Sequence, residues 1–158
     1  MGRVSSAADP PWPLRDAEPD DHEALVRVWR RAVEATHDFL TDADVDGFEE
    51  QVRRALPRAA VRVACDPGDG SVVGFLGGSG GEVDMLFVDP AAHGRGAGTA
   101  LLEEAAARHP ILVLDVNEQN PAARAWYRRR GFVEVGRSET DADGKPFPII
   151  RLRRAERP

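Results

Sequence analysis

Met85-Leu86-Phe87-Val88-Asp89-Pro90-Ala91-Ala92-His93-Gly94-Arg95-Gly96-Ala97-Gly98-Thr99-Ala100-Leu101-Leu102 reads as a strand, a turn set by Pro90, a glycine-rich loop and the start of a helix. Gly94, Gly96 and Gly98 remove side chains where backbone N–H groups can converge on an anion. The helix N-terminus behind them adds a partial positive charge, so the ligand expected there is a phosphate or pyrophosphate. A P-loop would need Gly-Lys-Ser/Thr, and Gly98-Thr99 lacks the lysine. A dinucleotide fold would open on alternating parallel strands and helices, which the N-terminal half does not show. A glycine-rich connection that merely packs stays open on this segment alone.

Working upstream, Val61 to Cys65, Val72 to Gly77 and Glu82 to Val88 are short β-like runs. They are separated by Asp66-Pro67-Gly68-Asp69-Gly70 and Gly77-Gly78-Ser79-Gly80-Gly81, a pattern that predicts an antiparallel meander. Before them, Asp42 to Ala55 predicts a helix with Val45, Phe48 and Val52 on one side and Pro57 beyond its end. Asp20 followed by Glu23 predicts a capping box for a first helix, on which Leu25, Val28, Trp29, Ala32 and Val33 recur at helical spacing. Residues 1–13, with Gly2, Pro10, Pro11 and Pro13, have the composition of an extended tail, so one domain is expected over residues 14–155.

Downstream, Gly96 to Arg108 predicts a helix that stops before Pro110, and Ile111 to Val116 reads as a strand covered on both faces. Asn120 can cap a further helix with Pro121 in its first turn, and Gly131 can supply the left-handed residue after it. Two final strands, Phe132 to Ser138 and Ile149 to Leu152, flank an Asp143-Gly144 turn. The order is strand, two helices, three strands, helix, strand, helix, two strands, which is an α/β class of mixed (α+β) type.

The segment Asn117-Glu118-Gln119-Asn120-Pro121-Ala122-Ala123-Arg124-Ala125-Trp126-Tyr127-Arg128-Arg129-Arg130-Gly131-Phe132 sets Asn120, Ala123, Tyr127 and Gly131 along one helical side. This helix resembles the Asn-x-x-Ala-x-x-x-Tyr-x-x-x-Gly-Phe signature of the GNAT superfamily of acetyltransferases. The loop from His93 to Gly98 is similar to that superfamily's pyrophosphate motif, usually Gln/Arg-x-x-Gly-x-Gly/Ala. His93 stands where Gln or Arg is usual, which leaves the cradle intact because backbone groups do most of the binding. The likeness runs from Leu14-Arg15-Asp16-Ala17 to the last strand. Ala35-Thr36-His37-Asp38-Phe39-Leu40, Val116 to Asn120, Gly136-Arg137-Ser138 and Gly144 to Pro148 resemble a bacterial subgroup of single-domain N-acetyltransferases, some of them implicated in protein-lysine acetylation.

The resemblance implies a central mixed, mostly antiparallel seven-stranded sheet flanked by four helices. That sheet would splay between the strands ending near Val88 and Val116 to admit a pantetheine arm. It also implies acetyl-CoA as co-substrate, held about Leu86, Phe87, Val88, His93, Gly94, Arg95, Gly96, Ala97, Gly98, Thr99, Asn117, Asn120 and Tyr127. The acetyl group would pass to a primary amine, of a protein or a small molecule, by direct attack in a ternary complex. The region after the first helix would form the acceptor site, with Trp29, His37, Asp38, Phe39 and Phe147 as its candidates.

Chemistry narrows the roles. A lysine amine of reference pKa ~10.4 is almost wholly charged at neutral pH, so a base or a desolvating pocket helps it attack. Tyr127, of reference pKa ~10, stays protonated and can donate to the departing thiolate, while the backbone N–H of Leu86 or Val88 can polarise the thioester carbonyl. Asp84 and His37 are the candidate bases; Asp84 is expected to share a strand face with Leu86 and Val88, and a solvated or hydrogen-bonded role stays open for both. Trp29 and Trp126 read as core or pocket wall, and Arg128 to Arg130 as a solvated face. Tyr127 favours an enzyme over a catalytically silent acyl-CoA-binding module.

A net charge of -6 argues against a general affinity for nucleic acid. No apolar stretch approaches a membrane span and no secretory signal is evident, so a cytoplasmic protein without a membrane partner is expected, as monomer or homodimer. Cys65 is the only cysteine, which leaves neither an internal disulfide nor a cysteine-based metal site, and no metal is expected.

Overall fold

The computed structural model describes residues 12–155. Eleven elements follow in chain order: β1 (Leu14–Asp16), α1 (His22–Thr36), α2 (Asp42–Ala55), β2 (Val61–Cys65), β3 (Val72–Ser79), β4 (Glu82–Val88), α3 (Ala97–Arg108), β5 (Ile111–Asn117), α4 (Pro121–Arg129), β6 (Val133–Ser138) and β7 (Ile149–Ala155). The strands form one seven-stranded sheet in the order β1-β2-β3-β4-β5-β7-β6. Every neighbouring pair is antiparallel except β4 and β5.

That parallel pair is short. Only Glu82 and Val83 of β4 pair with β5, opposite Val113 and Leu114, and beyond them the two strands part. The splay expected between Val88 and Val116 is therefore present. It leaves an open edge on the second half of β4, whose backbone must find other partners.

The sheet carries a core on each face. Leu25, Val26, Val28, Trp29 and Val33 of α1 recur at helical spacing and pack with Val63, Phe75 and Leu56 on one side. Leu101 and Leu102 of α3, Tyr127 of α4 and Phe132 pack with Leu112, Leu114 and Leu152 on the other. α3 is further tied to β2 by a bidentate Arg62–Glu104 pair at 2.7 and 2.9 Å.

Several sequence expectations are corrected here. Trp12 is 2% exposed and Pro13 accepts a hydrogen bond from the N–H of Cys65, so ordered packing begins two residues ahead of Leu14. The remainder of the expected tail, residues 1–11, lies outside the described residues. The capping box before α1 joins Glu18 to Asp21 and not Asp20 to Glu23, because Asp21 is held there by Arg15. β5 is not covered on both faces: Leu112, Leu114 and Val116 are buried, while Ile111 is exposed and Asp115 is exposed beside Arg151. The helices α1 and α2 cover β2 to β4 and stop short of it.

A break in register between β3 and β4 matters for the site. Gly77 pairs with Met85 and Gly78 with Val83, so Asp84 is an extra, unpaired residue, a β-bulge. Gly78 is required opposite the bulge, since a Cβ there would sit 2.0 Å from the Glu82 carbonyl oxygen.

Candidate active site

The loop after β4 folds as its glycines dictate. Gly96 has φ +93°, a left-handed conformation that L side chains rarely adopt, and it caps α3. The first helical bond runs from the Ala100 N–H to the Gly96 carbonyl. The N–H groups of Ala97, Gly98 and Thr99 therefore lie ahead of any helical acceptor and converge at the positive end of α3. They open on a cleft of about 640 Å³, lined also by Leu86, Val88, Asn120, Trp126 and Tyr127. Close walls at Gly98, where a Cβ would meet Trp126 and Val88 at 3.4 Å, suit a slender phosphate-bearing arm.

Distant side chains hold the loop. The Trp12 indole N–H donates to the Arg95 carbonyl at 2.9 Å, and the Arg95 guanidinium lies 4.9 Å from the centre of the Trp12 ring. The Arg95 side chain is thus turned onto Trp12, and only its backbone is left to border the loop. His93 Nε2 lies 2.9 Å from the Val88 carbonyl oxygen and joins the loop to the strand end. Arg130 stacks on Trp126 at 3.6 Å and donates to Thr99 Oγ1 at 2.9 and 3.1 Å. It clamps α4 to α3, so the expected solvated face of Arg128 to Arg130 is corrected at this residue.

Trp12→Phe keeps the packing and removes the indole donor. A net hydrogen bond of about 1 kcal/mol predicts roughly fivefold weaker binding of a CoA-type ligand. Calorimetry on the folded variant checks this, and an unchanged Kd would free the loop from Trp12.

The edge of β4 offers backbone N–H groups without a strand partner. The Asp89 N–H donates to Val73 of β3, and N–H direction alternates along a strand. The N–H groups of Leu86 and Val88 therefore point the other way, into the splay. Tyr127 stands across the cleft from them on α4, edge-on to Trp126 at 5.0 Å and to Phe132 at 5.3 Å. The residue is 8% exposed, and burial pushes its phenol well above the ordinary tyrosine value, with Arg130 as the smaller, opposing influence. The hydroxyl makes no hydrogen bond among the described residues, yet it is not a fully enclosed orphan. It therefore reaches the cleft surface.

Asn120 accepts the Ala123 N–H on its side-chain oxygen at 3.2 Å and caps α4 as its spacing predicts. Phe132 follows Gly131, whose φ is +92°, and its N–H returns to the Tyr127 carbonyl at 3.2 Å. These contacts fix the rotation of α4 and hence the direction of Tyr127.

A second cavity, about 520 Å³, lies on the α1–α2 side of β4 and is lined by Trp29, His37, Phe48, Asp84, Asp141 and Phe147 among others. The bulge decides the place of Asp84, turning it from the expected Leu86–Val88 face to this one with Met85 and Phe87. Its carboxyl is pushed above the ordinary range by local desolvation first, then by Glu82 and Asp115. Asn117 also lines this second cavity and not the cleft that holds the glycine cradle. Asp38 is exposed and lines neither cavity.

Phe39 borders the cavity through its neighbours. The ring centres run His37–Phe39 at 5.3 Å, Phe39–Phe147 at 5.9 Å and Phe147–Phe48 at 6.2 Å. Lys145 Nζ rests 4.6 Å from the centre of the Phe48 ring. Gln51 donates to Asp143 at 3.0 Å and ties the loop bearing Phe147 to α2. His37 and Phe87 line both cavities and form the partition between them. Burial holds the His37 imidazole below its ordinary pKa, against the opposing pull of Asp38. Among the described residues no group of three or more metal-ligating side chains occurs, and no helix is long and apolar enough to cross a membrane.

Comparison with known proteins adds an independent line. Residues 57–134 match the family model of the acetyltransferase (GNAT) domain. The chain is 42% identical over 139 residues to peptidyl-lysine N-acetyltransferase YjaB of Salmonella typhimurium, covering 88% of this chain and 95% of the relative. It is 29% identical over 120 residues to peptidyl-lysine N-acetyltransferase YiaC of Escherichia coli, covering 75% and 82%. The solution structure of apo-form YjaB from Escherichia coli superposes with a TM-score of 0.86 at 40% identity, over 92% of this chain and 99% of that one.

Proposed function

Since the chain belongs to the GNAT acetyltransferase family, we propose that it acetylates lysine side chains, with His37 as the base that accepts the amine proton and Tyr127 as the acid. The protein is an acetyl-CoA-dependent N-acetyltransferase, and the bound thioester supplies the activated acetyl group. The observation that carries the finer reading is the shared wall. His37 borders both the cleft that contains the glycine cradle and Tyr127 and the second cavity, where the aromatic arc lies.

The arc suits a long aliphatic ammonium. Aromatic faces attract such a cation by about 0.5–1 kcal/mol when exposed and by ~2 kcal/mol when dry, and Lys145 on Phe48 is an internal instance. Asp84 and Asp141 add negative charge. The names of the relatives at 42% and 29% identity, peptidyl-lysine N-acetyltransferases both, support the same acceptor.

In the reaction, the amine nitrogen bonds to the acetyl carbon as the C–S bond breaks. His37 Nε2 takes the amine proton, the N–H groups of Leu86 and Val88 stabilise charge developing on the carbonyl oxygen, and Tyr127 gives its proton to sulfur. Burial raises the Tyr127 pKa, so the phenol stays protonated at neutral pH and is ready to donate. The tyrosinate then regains a proton from solvent and His37 releases one. We take the enzyme to act in the cytoplasm as monomer or homodimer, and its net charge of -6 argues against a nucleic-acid partner.

The test is thiol release with an N-terminally blocked lysine peptide, its arginine counterpart and a free α-amine peptide. Only the lysine peptide is expected to turn over efficiently. Phe147→Ala is expected to raise the peptide KM roughly 5- to 30-fold, the equivalent of about 1–2 kcal/mol, with the acetyl-CoA KM little changed. Preference for the α-amine, or an unmoved peptide KM, would overturn the lysine assignment.

A further inference from the structure

His37 is the C-cap of α1 and its backbone is held at both ends. Its N–H donates to Val33 at 2.8 Å and its carbonyl accepts from Leu40 at 3.1 Å. Only the ring is left to orient, and among the described residues a single side chain bonds it. Thr36 Oγ1 lies 2.7 Å from His37 Nδ1 and 2.8 Å from the Ala32 carbonyl oxygen.

These two distances decide where the protons are. A hydroxyl has one hydrogen, and a carbonyl can only accept. The Thr36 hydrogen therefore goes to Ala32, one turn back, as helical threonines commonly arrange it. The oxygen then presents a lone pair to Nδ1, and contact at 2.7 Å is attractive only if Nδ1 carries hydrogen. Giving the hydroxyl hydrogen to Nδ1 instead would set two acceptors against each other at 2.8 Å. Neutral imidazole has one N–H, so Nε2 is the bare nitrogen.

We propose that Thr36 is a positioning residue for catalysis, holding neutral His37 with its hydrogen on Nδ1 and so keeping Nε2 free to accept the proton of the acceptor amine. The inference rests on the reading of His37 as the base. It goes further by naming the group that selects the productive tautomer. Once Nε2 takes the amine proton both ring nitrogens carry hydrogen, and the Nδ1–H bond to Thr36 is kept. The contact therefore serves both protonation states and shifts the height of the pH profile more than its position.

The charged and titratable groups facing His37 are few. Asp38 adjoins it, Asp84 and Asp141 share the second cavity, and His93, Tyr127, Arg129 and Arg130 share the cleft. Burial outweighs Asp38 and keeps the ring neutral at lower pH than a free histidine. The alkaline-rising limb of kcat/KM should accordingly fall below the ordinary histidine range.

The experiment combines nitrogen NMR of histidine-labelled protein with kinetics on Thr36→Val, Thr36→Ser and His37→Ala. In the wild type the His37 signals, assigned by their loss in His37→Ala, should show protonated Nδ1 and bare Nε2 above the transition. Thr36→Val should shift the ring toward Nε2–H and lower the kcat/KM plateau about tenfold through kcat, with the limb at the same pH. Thr36→Ser should restore both readouts. An Nε2–H tautomer in the wild type, an unmoved plateau in Thr36→Val, or failure of Thr36→Ser to recover it overturns the proposal. If His37→Ala keeps the alkaline limb, the base assignment itself falls. If it loses the limb while Thr36→Val is unchanged, only the Thr36 role falls.

Discussion

Tyr127→Phe is expected to lower kcat by about 10²- to 10⁴-fold, a loss of roughly 3–5 kcal/mol of transition-state stabilisation, with the melting temperature almost unchanged. The two halves of this expectation come from different atoms. The ring packs edge-on against Trp126 and Phe132, and phenylalanine keeps those contacts. The hydroxyl has no hydrogen-bond partner among the described residues, so its removal strands no other polar group. Acyl donors with better leaving groups need less protonation at sulfur, and they should recover much of the lost rate. Full activity with acetyl-CoA in the folded variant would remove Tyr127 as the acid and leave positioning as the main catalytic device.

Gly98→Glu is expected to abolish acetyl-CoA binding, weakening it by at least about 10²-fold, since like charges brought together in an interface cost several kcal/mol. Gly98 sits in the first turn of α3, and its missing side chain leaves room between Trp126 and Val88. A carboxylate there would place negative charge in the expected phosphate cradle. It would also stabilise the helix N-terminus slightly, so the fold should survive. Gly98→Ala adds only contacts at 3.4 Å to Trp126 and Val88 and should bind with a modest loss. Calorimetry on the two variants separates charge from bulk, and wild-type affinity in Gly98→Glu would sink the cradle.

The parts legible in sequence are those written in short spacings. Gly94, Gly96 and Gly98 announce a loop of unusual backbone, and Asn120, Ala123, Tyr127 and Gly131 mark one side of a single helix with its cap and stop. Leu25, Val28, Trp29, Ala32 and Val33 likewise announce their own buried face. Thr41 and Asp44 form the capping box of α2 at a spacing that is equally local. Asp84 leaves the Leu86–Val88 face because strict alternation fails at the bulge in β4, and the glycine-rich stretch from Gly77 to Gly81 is the sign in the sequence that a bulge could sit opposite.

By itself, then, the sequence determined the order of strands and helices, the glycine-rich loop and the helix that bears Tyr127. Each of these depends on residues within a few positions of one another, where backbone sterics and helical period act directly. Only the tertiary structure decided what crosses the chain. The bond from Trp12 to Arg95 spans 83 residues and the clamp from Arg130 to Thr99 spans 31. The place of His37 between two cavities likewise required α1, the end of β4 and the loop bearing Phe147 to meet. Such contacts follow from burying both faces of one twisted sheet, an energy summed over the whole core, and no local spacing encodes which distant partners that packing brings together.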